Sequence, residues 1–65
     1  MKPETKKFAV TTDSSHYLTN DLREARRQAA EYRRARQEPV IDYGEFTENF
    51  GLGYLTHTYR RRLEG

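Results

Sequence analysis

Between Asn20 and Arg36 the chain reads NDLREARRQAAEYRRAR, and no other segment is long and periodic enough to predict an α-helix. Leu22, Ala25, Ala29 and Tyr32 follow the 3, 4, 3 spacing of one buried face. Two of the four are alanine, so this stripe is thin and suits close packing on a sheet. Arg23, Arg27 and Arg34 fall on a shared stripe away from it, with Glu24, Gln28 and Glu31 beside them. Arg27–Glu31 and Glu31–Arg34 have the spacing of helical ion pairs. Thr19, Asn20 and Asp21 each carry a side-chain oxygen suited to capping, and Asp21 with Glu24 has capping-box spacing. Pro39 is expected to stop the helix, because the residue before a proline avoids helical geometry.

Working outward, residues 1–6 are polar and expected to fray, with Pro3 opposing early strand pairing. Residues 7–12, KFAVTT, alternate as a strand with Phe8 and Val10 on one face. Asp13, Ser14 and Ser15 are turn formers. His16 to Leu18 then lead into the helix, with Leu18 placed to fold back on its first turn. Residues 40–48 predict a second strand whose alternation slips at Gly44. A bulge there brings Ile41 and Tyr43 onto one face with Phe46. NFGLG at 49–53 supplies turn glycines, and 54–60 predicts a third strand with Leu55, His57 and Tyr59 on one side. The alternative for 45–50 is a short helical turn closed by Gly51. The expected fold is α+β, a small single domain over residues 1–65. It is ordered β-α-β-β, with one amphipathic helix packed on a three-stranded, mostly antiparallel sheet.

Composition narrows the function classes. Leu, Ile, Val and Phe number only eleven of 65 residues, but five Tyr add large rings and the net charge is only +2. Such a chain makes a marginal domain that gains stability from a second copy or a partner. Cysteine is absent, excluding disulfides and thiolate metal sites. The charged N-terminus lacks a signal-type apolar run, and no segment has the length of a membrane span, so a cytoplasmic protein without a membrane role is expected.

Chemistry-bearing residues are few. Asp13-Ser14-Ser15-His16 holds triad residue types, but sequence neighbours do not reach triad geometry. His16 and His57 alone are too few for a zinc site. His57, Tyr54, Tyr59 and Arg60, with Glu45 or Glu48 as second proton-transfer group, make the inventory of a metal-independent ribonuclease; cross-strand pairing explains the same residues. No catalytic residue, cofactor site or metal site is therefore expected. The basic set of Arg23, Arg27, Arg34, Arg60–Arg62, Lys2, Lys6 and Lys7 fits phosphate binding to RNA or DNA. Asp42, Glu45, Glu48, Glu24 and Glu31 oppose that reading.

Tyr and Arg favour binding hot spots, and the chain has five Tyr and nine Arg. The leading expectation is a non-enzymatic protein-interaction module. Its expected partner-binding residues are Arg23, Arg27, Arg34, Tyr54, Tyr59, Arg60 and Arg61. An exposed strand edge adds a route to a homodimer. In size and expected topology the chain resembles small phage-encoded inhibitors, including some anti-CRISPR proteins. The resemblance rests on architecture and carries no motif. It implies an inhibitor or regulator acting on a host protein or nucleoprotein complex.

Overall fold

The computed structural model describes residues 5–49 and 53–65, the side chains of 49, 53, 54, 57 and 58 excepted. It is an α+β domain with one helix on an antiparallel sheet. The elements are β1 (Lys6–Thr11), β2 (His16–Thr19), α1 (Leu22–Arg34), β3 (Val40–Asn49) and β4 (Gly53–Glu64), and the strand order is β2-β1-β3-β4. Every neighbouring pair is antiparallel.

The sheet thus has a fourth strand where a helix lead-in was expected. Thr12 accepts on its hydroxyl from the Ser14 and Ser15 amides, closing a tight turn that sends His16–Thr19 back along β1. Leu18 consequently pairs beside Ala9 and does not cap the helix. Tyr17, opposite Val10, packs on the core in its place. Lys6, expected to fray, opens β1; Met1 to Glu4, Pro3 included, lie outside the described residues.

Helix α1 is shorter at both ends than the expected 20–36. Asp21 is the cap, and its carboxylate accepts from the Arg23 amide at 2.9 Å. Glu24 does not complete a capping box. It turns toward β2, accepting from the Tyr17 hydroxyl and, at 3.5 Å, from Thr19. The freed Asp21 amide donates to the Thr19 hydroxyl at 3.1 Å. At the other end Arg36 adopts φ 64°, the Arg36 amide reaches the Arg33 carbonyl, and the Gln37 amide reaches that of Tyr32. This Schellman closure ends the helix before Pro39 acts. Gln37 then takes the Thr12 hydroxyl at 2.6 Å, tying the helix end to the β1–β2 turn.

The expected burial of one helix face holds. Ala25 and Ala29 are buried against Val10 and Ile41, with Phe8, Tyr17, Leu22 and Tyr32 packed around them. Phe8 and Val10 share this face, as alternation requires.

The bulge at Gly44 is present, and it is larger than one strand's slip. From Phe8↔Tyr43 to Lys6↔Phe46, β1 advances two residues while β3 advances three. From Gly44↔Arg60 to Phe46↔Thr56, β3 advances two while β4 spends four. The Tyr59 carbonyl oxygen is pressed so close that a Cβ at Gly44 would lie 2.2 Å from it. Glycine is required here by close approach of the bulged backbone.

This irregularity bends the β3–β4 hairpin. His16 lies in the row His16–Thr11–Val40, and eight straight-strand residues from Val40 would carry Glu48 about 26 Å along β3. Yet His16 Nε2 lies 3.3 Å from Glu48 Oε1. The distal hairpin therefore curls back across the sheet. Ala9 and Asp42, which alternate away from the helix, are 0% and 2% exposed, and the returning hairpin covers that side. Phe46 is fully buried but lies outside the helix-side cluster.

Residues 45–49 are strand, not a helical turn, and β4 continues through Arg60–Arg62 to Glu64 rather than ending at 60. Phe50 and the central turn residues 50–52 lie outside the described residues.

Candidate functional site

The two sheet edges are unlike. β2 spans four residues and is held by the helix through Tyr17 and Thr19. β4 spans twelve, and its outer edge pairs with no described strand. Among the described residues the exposed large hydrophobics are Leu55 (45%), Tyr59 (48%) and Leu63 (38%), all on β4. A marginal domain that leaves its spare apolar surface on one strand has concentrated it there.

The face of β4 nearest the helix is aromatic and basic. Tyr43 packs in tilted contacts between Phe8, at 5.4 Å, and Tyr59, at 5.8 Å, so a row of rings runs from the core to the open edge. A hydrogen bond to Tyr43, then burial, holds the Tyr59 phenol above its usual pKa. Arg61 pairs opposite Tyr43 and shares this face. Arg60, opposite Gly44, alternates to the other side. On that side Arg62 Nε binds the buried Asp42 carboxylate at 2.6 Å, so this arginine is structural.

Above the sheet, Arg23, Arg27 and Arg34 are all exposed. At ~100° per residue they lie about 120–180° from Ala25 and Ala29, so the expected outward stripe is present. Its pairing differs from expectation. Arg27 meets Glu24 at 3.5 Å rather than Glu31, because Glu24 is fixed by Tyr17. Arg23 and Arg34 make no ion pair with a described residue. Arg23 and Arg27 line a shallow depression with Asp21 and Glu24.

The helix flanks separate by charge. Glu24 faces β2, whereas Arg26 faces β4 and binds Glu64 at 2.7 Å. Arg33 lies on the Arg26 flank by the same helical geometry. The structure therefore brings the helix arginines, Tyr59 and Arg61 to one side of the sheet. It places Arg60 on the other. The side chains of Tyr54 and His57 lie outside the described residues, as does Lys2.

Leu55, Leu63, Tyr43 and the Arg26–Arg33 flank were not among the expected site residues. Leu63 becomes legible only once the strand is extended past Arg60. The Asp13–His16 segment is a turn and strand start, and His16 is engaged by Glu48. Among the described residues no three His, Asp or Glu side chains converge as metal ligands, and no helix is long and apolar enough to cross a membrane. Comparison with protein-family models, with curated proteins and with solved structures finds no match.

Proposed function

We propose that this chain is a non-enzymatic interaction module that binds a partner protein. The binding face is the helix side of the molecule: Arg23, Arg27 and Arg34 on the helix, with Tyr59 and Arg61 on β4. The carrying observation is that exposed Tyr59 shares one side of the sheet with Arg61, Arg23 and Arg34, none of which makes an ion pair with a described carboxylate. Apolar anchors rimmed by arginine are the composition of binding hot spots. The architecture is also compatible with an inhibitor or regulator of a host protein or nucleoprotein complex, working in the cytoplasm.

A protein partner is favoured over RNA or DNA by the acidic residues interleaved in the same face. Asp21 and Glu24 stand beside Arg23 and Arg27, Glu64 holds Arg26, and Glu45 acts on Tyr59. A phosphate backbone would meet these carboxylates at close range.

Affinity purification from extract with and without nuclease treatment tests the reading. A defined protein is expected to be retained by the wild-type chain and lost with Arg23→Glu/Arg34→Glu and with Tyr59→Ala. Recovery of nucleic acid alone, with a salt-sensitive mobility shift abolished by Arg23→Glu, would overturn it in favour of nucleic-acid binding.

A further inference from the structure

We propose that the face of β4 beside the helix is the step on which the partner's recognition segment docks, and that this segment presents an apolar side chain close to a carboxylate. The inference rests on the protein-binding reading above and names the chemistry of what is bound.

The step follows from how far one helix reaches. Helix α1 packs on β1, β2 and β3, so it is seated over β1 with a strand on either side. Neighbouring strands lie about 4.8 Å apart, which puts β4 roughly 10 Å from β1, while a helix extends about 5 Å to each side of its axis. Among the described residues β4 contributes none to the cluster beneath the helix. Its helix-side face is left open, and Tyr59 there is 48% exposed. The Arg26–Glu64 ion pair joins the helix flank to the end of β4 and closes the step at that end.

Tyr43 gathers the recognition groups without any count along the bulged strand. Its ring meets that of Tyr59 at 5.8 Å, and Arg61 stands directly opposite it on β4. An aromatic ring and a guanidinium therefore border one tyrosine, whose other neighbour is Phe8.

The charges around the step are unequal along it. Glu64 is taken up by Arg26. Arg61 is exposed and makes no ion pair with a described residue. Glu45 lies close enough to act on the Tyr59 phenol, so it opposes a carboxylate at the ring. An incoming carboxylate is thus steered to Arg61, where a charge-assisted pair forms, and the apolar side chain settles on the Tyr59–Tyr43 rings. A basic segment would be repelled by Arg61. A wholly apolar one would cover the guanidinium without pairing it.

Panning phage-displayed random peptides on the 65-residue chain tests this. Selected peptides are expected to carry an aromatic or large aliphatic residue within about three positions of Asp or Glu, since an extended segment rises about 3.3 Å per residue. Against Arg61→Gln the acidic preference should vanish, and a selected peptide should bind about tenfold more weakly by fluorescence anisotropy. Tyr59→Ala should remove the apolar preference instead. Arg60→Gln deletes the same charge from the other side of the sheet and should change neither. All three side chains are exposed, so circular dichroism of the variants is expected to match the wild type. No enrichment, a basic or uncharged consensus, or equal weakening by Arg60→Gln and Arg61→Gln would overturn the proposal. The pull-down judges the broader reading separately. A protein retained equally by wild type and Arg61→Gln removes this inference and leaves protein binding standing, whereas recovery of nucleic acid alone removes both.

Discussion

The two edges of this sheet show how one small domain divides its apolar surface. At β2, a short strand surrenders its ring to the core. Tyr17 packs beneath the helix and donates to Glu24, Thr19 takes the Asp21 amide, and His16 is met by the returning hairpin. At β4, a strand three times as long keeps Leu55, Tyr59 and Leu63 in solvent and surrounds them with arginine. Both edges use a tyrosine, but one ring is consumed by folding and the other is left over. Surface that folding does not use is where a partner can be recognised.

The largest expected difference between the edges is in stability. Tyr17→Ala removes a partly buried ring packed on the core and one of the hydrogen bonds to the Glu24 carboxylate, so it should cost about 2–3 kcal/mol in urea unfolding. Tyr59→Ala, at a half-exposed position, should cost about 1 kcal/mol. Equal losses would erase the distinction between the two edges.

Gly44→Ala tests the bend that separates them. A methyl 2.2 Å from the Tyr59 carbonyl forces the bulged backbone apart, at about 1–3 kcal/mol. The His16–Glu48 contact should weaken with it, which the His16 ring resonances report by NMR.

Alkaline pH sharpens the contrast at the buried edge. The hydrogen bond to Glu24 chiefly raises the Tyr17 pKa. A phenol raised on folding contributes stability that is complete below about pH 10 and is lost as pH climbs through the folded value. Thermal unfolding between pH 8 and 11 should therefore fall less steeply in Tyr17→Phe than in the wild type.

The smallest effect should be a gain. Arg36 holds a left-handed conformation at the helix end, where glycine is unstrained. Arg36→Gly should stabilise by about 0.5–1 kcal/mol in the same urea assay while leaving both edges unchanged.

Much of the fold was legible in residue patterning. The Leu22–Ala25–Ala29–Tyr32 stripe, the outward arginines, the Phe8–Val10 face and the slip at Gly44 all follow from periodicity and glycine placement. Three features were not, each for a physical reason. His16–Thr19 is too short to show a period, and its strand character comes from pairing with β1. The helix end depends on Arg36 taking a conformation that sequence assigns to glycine or asparagine. Arg60–Arg62 reads as part of a basic surface at the end of the third strand, yet Arg62 is anchored by buried Asp42 and carries β4 onward to Glu64. The candidate surface was half legible for the same reason: its arginines and Tyr59 were visible, while Leu63 and the open edge required the longer strand.

Residue-resolved amide hydrogen exchange on the free protein, repeated with the captured partner added, compares the two edges directly. If β4 is the open, interacting edge, its outward amides should exchange quickly in the free protein and gain protection as partner is added, while β2 stays constant. Protection that rises at β2, or at neither edge, would contradict the account.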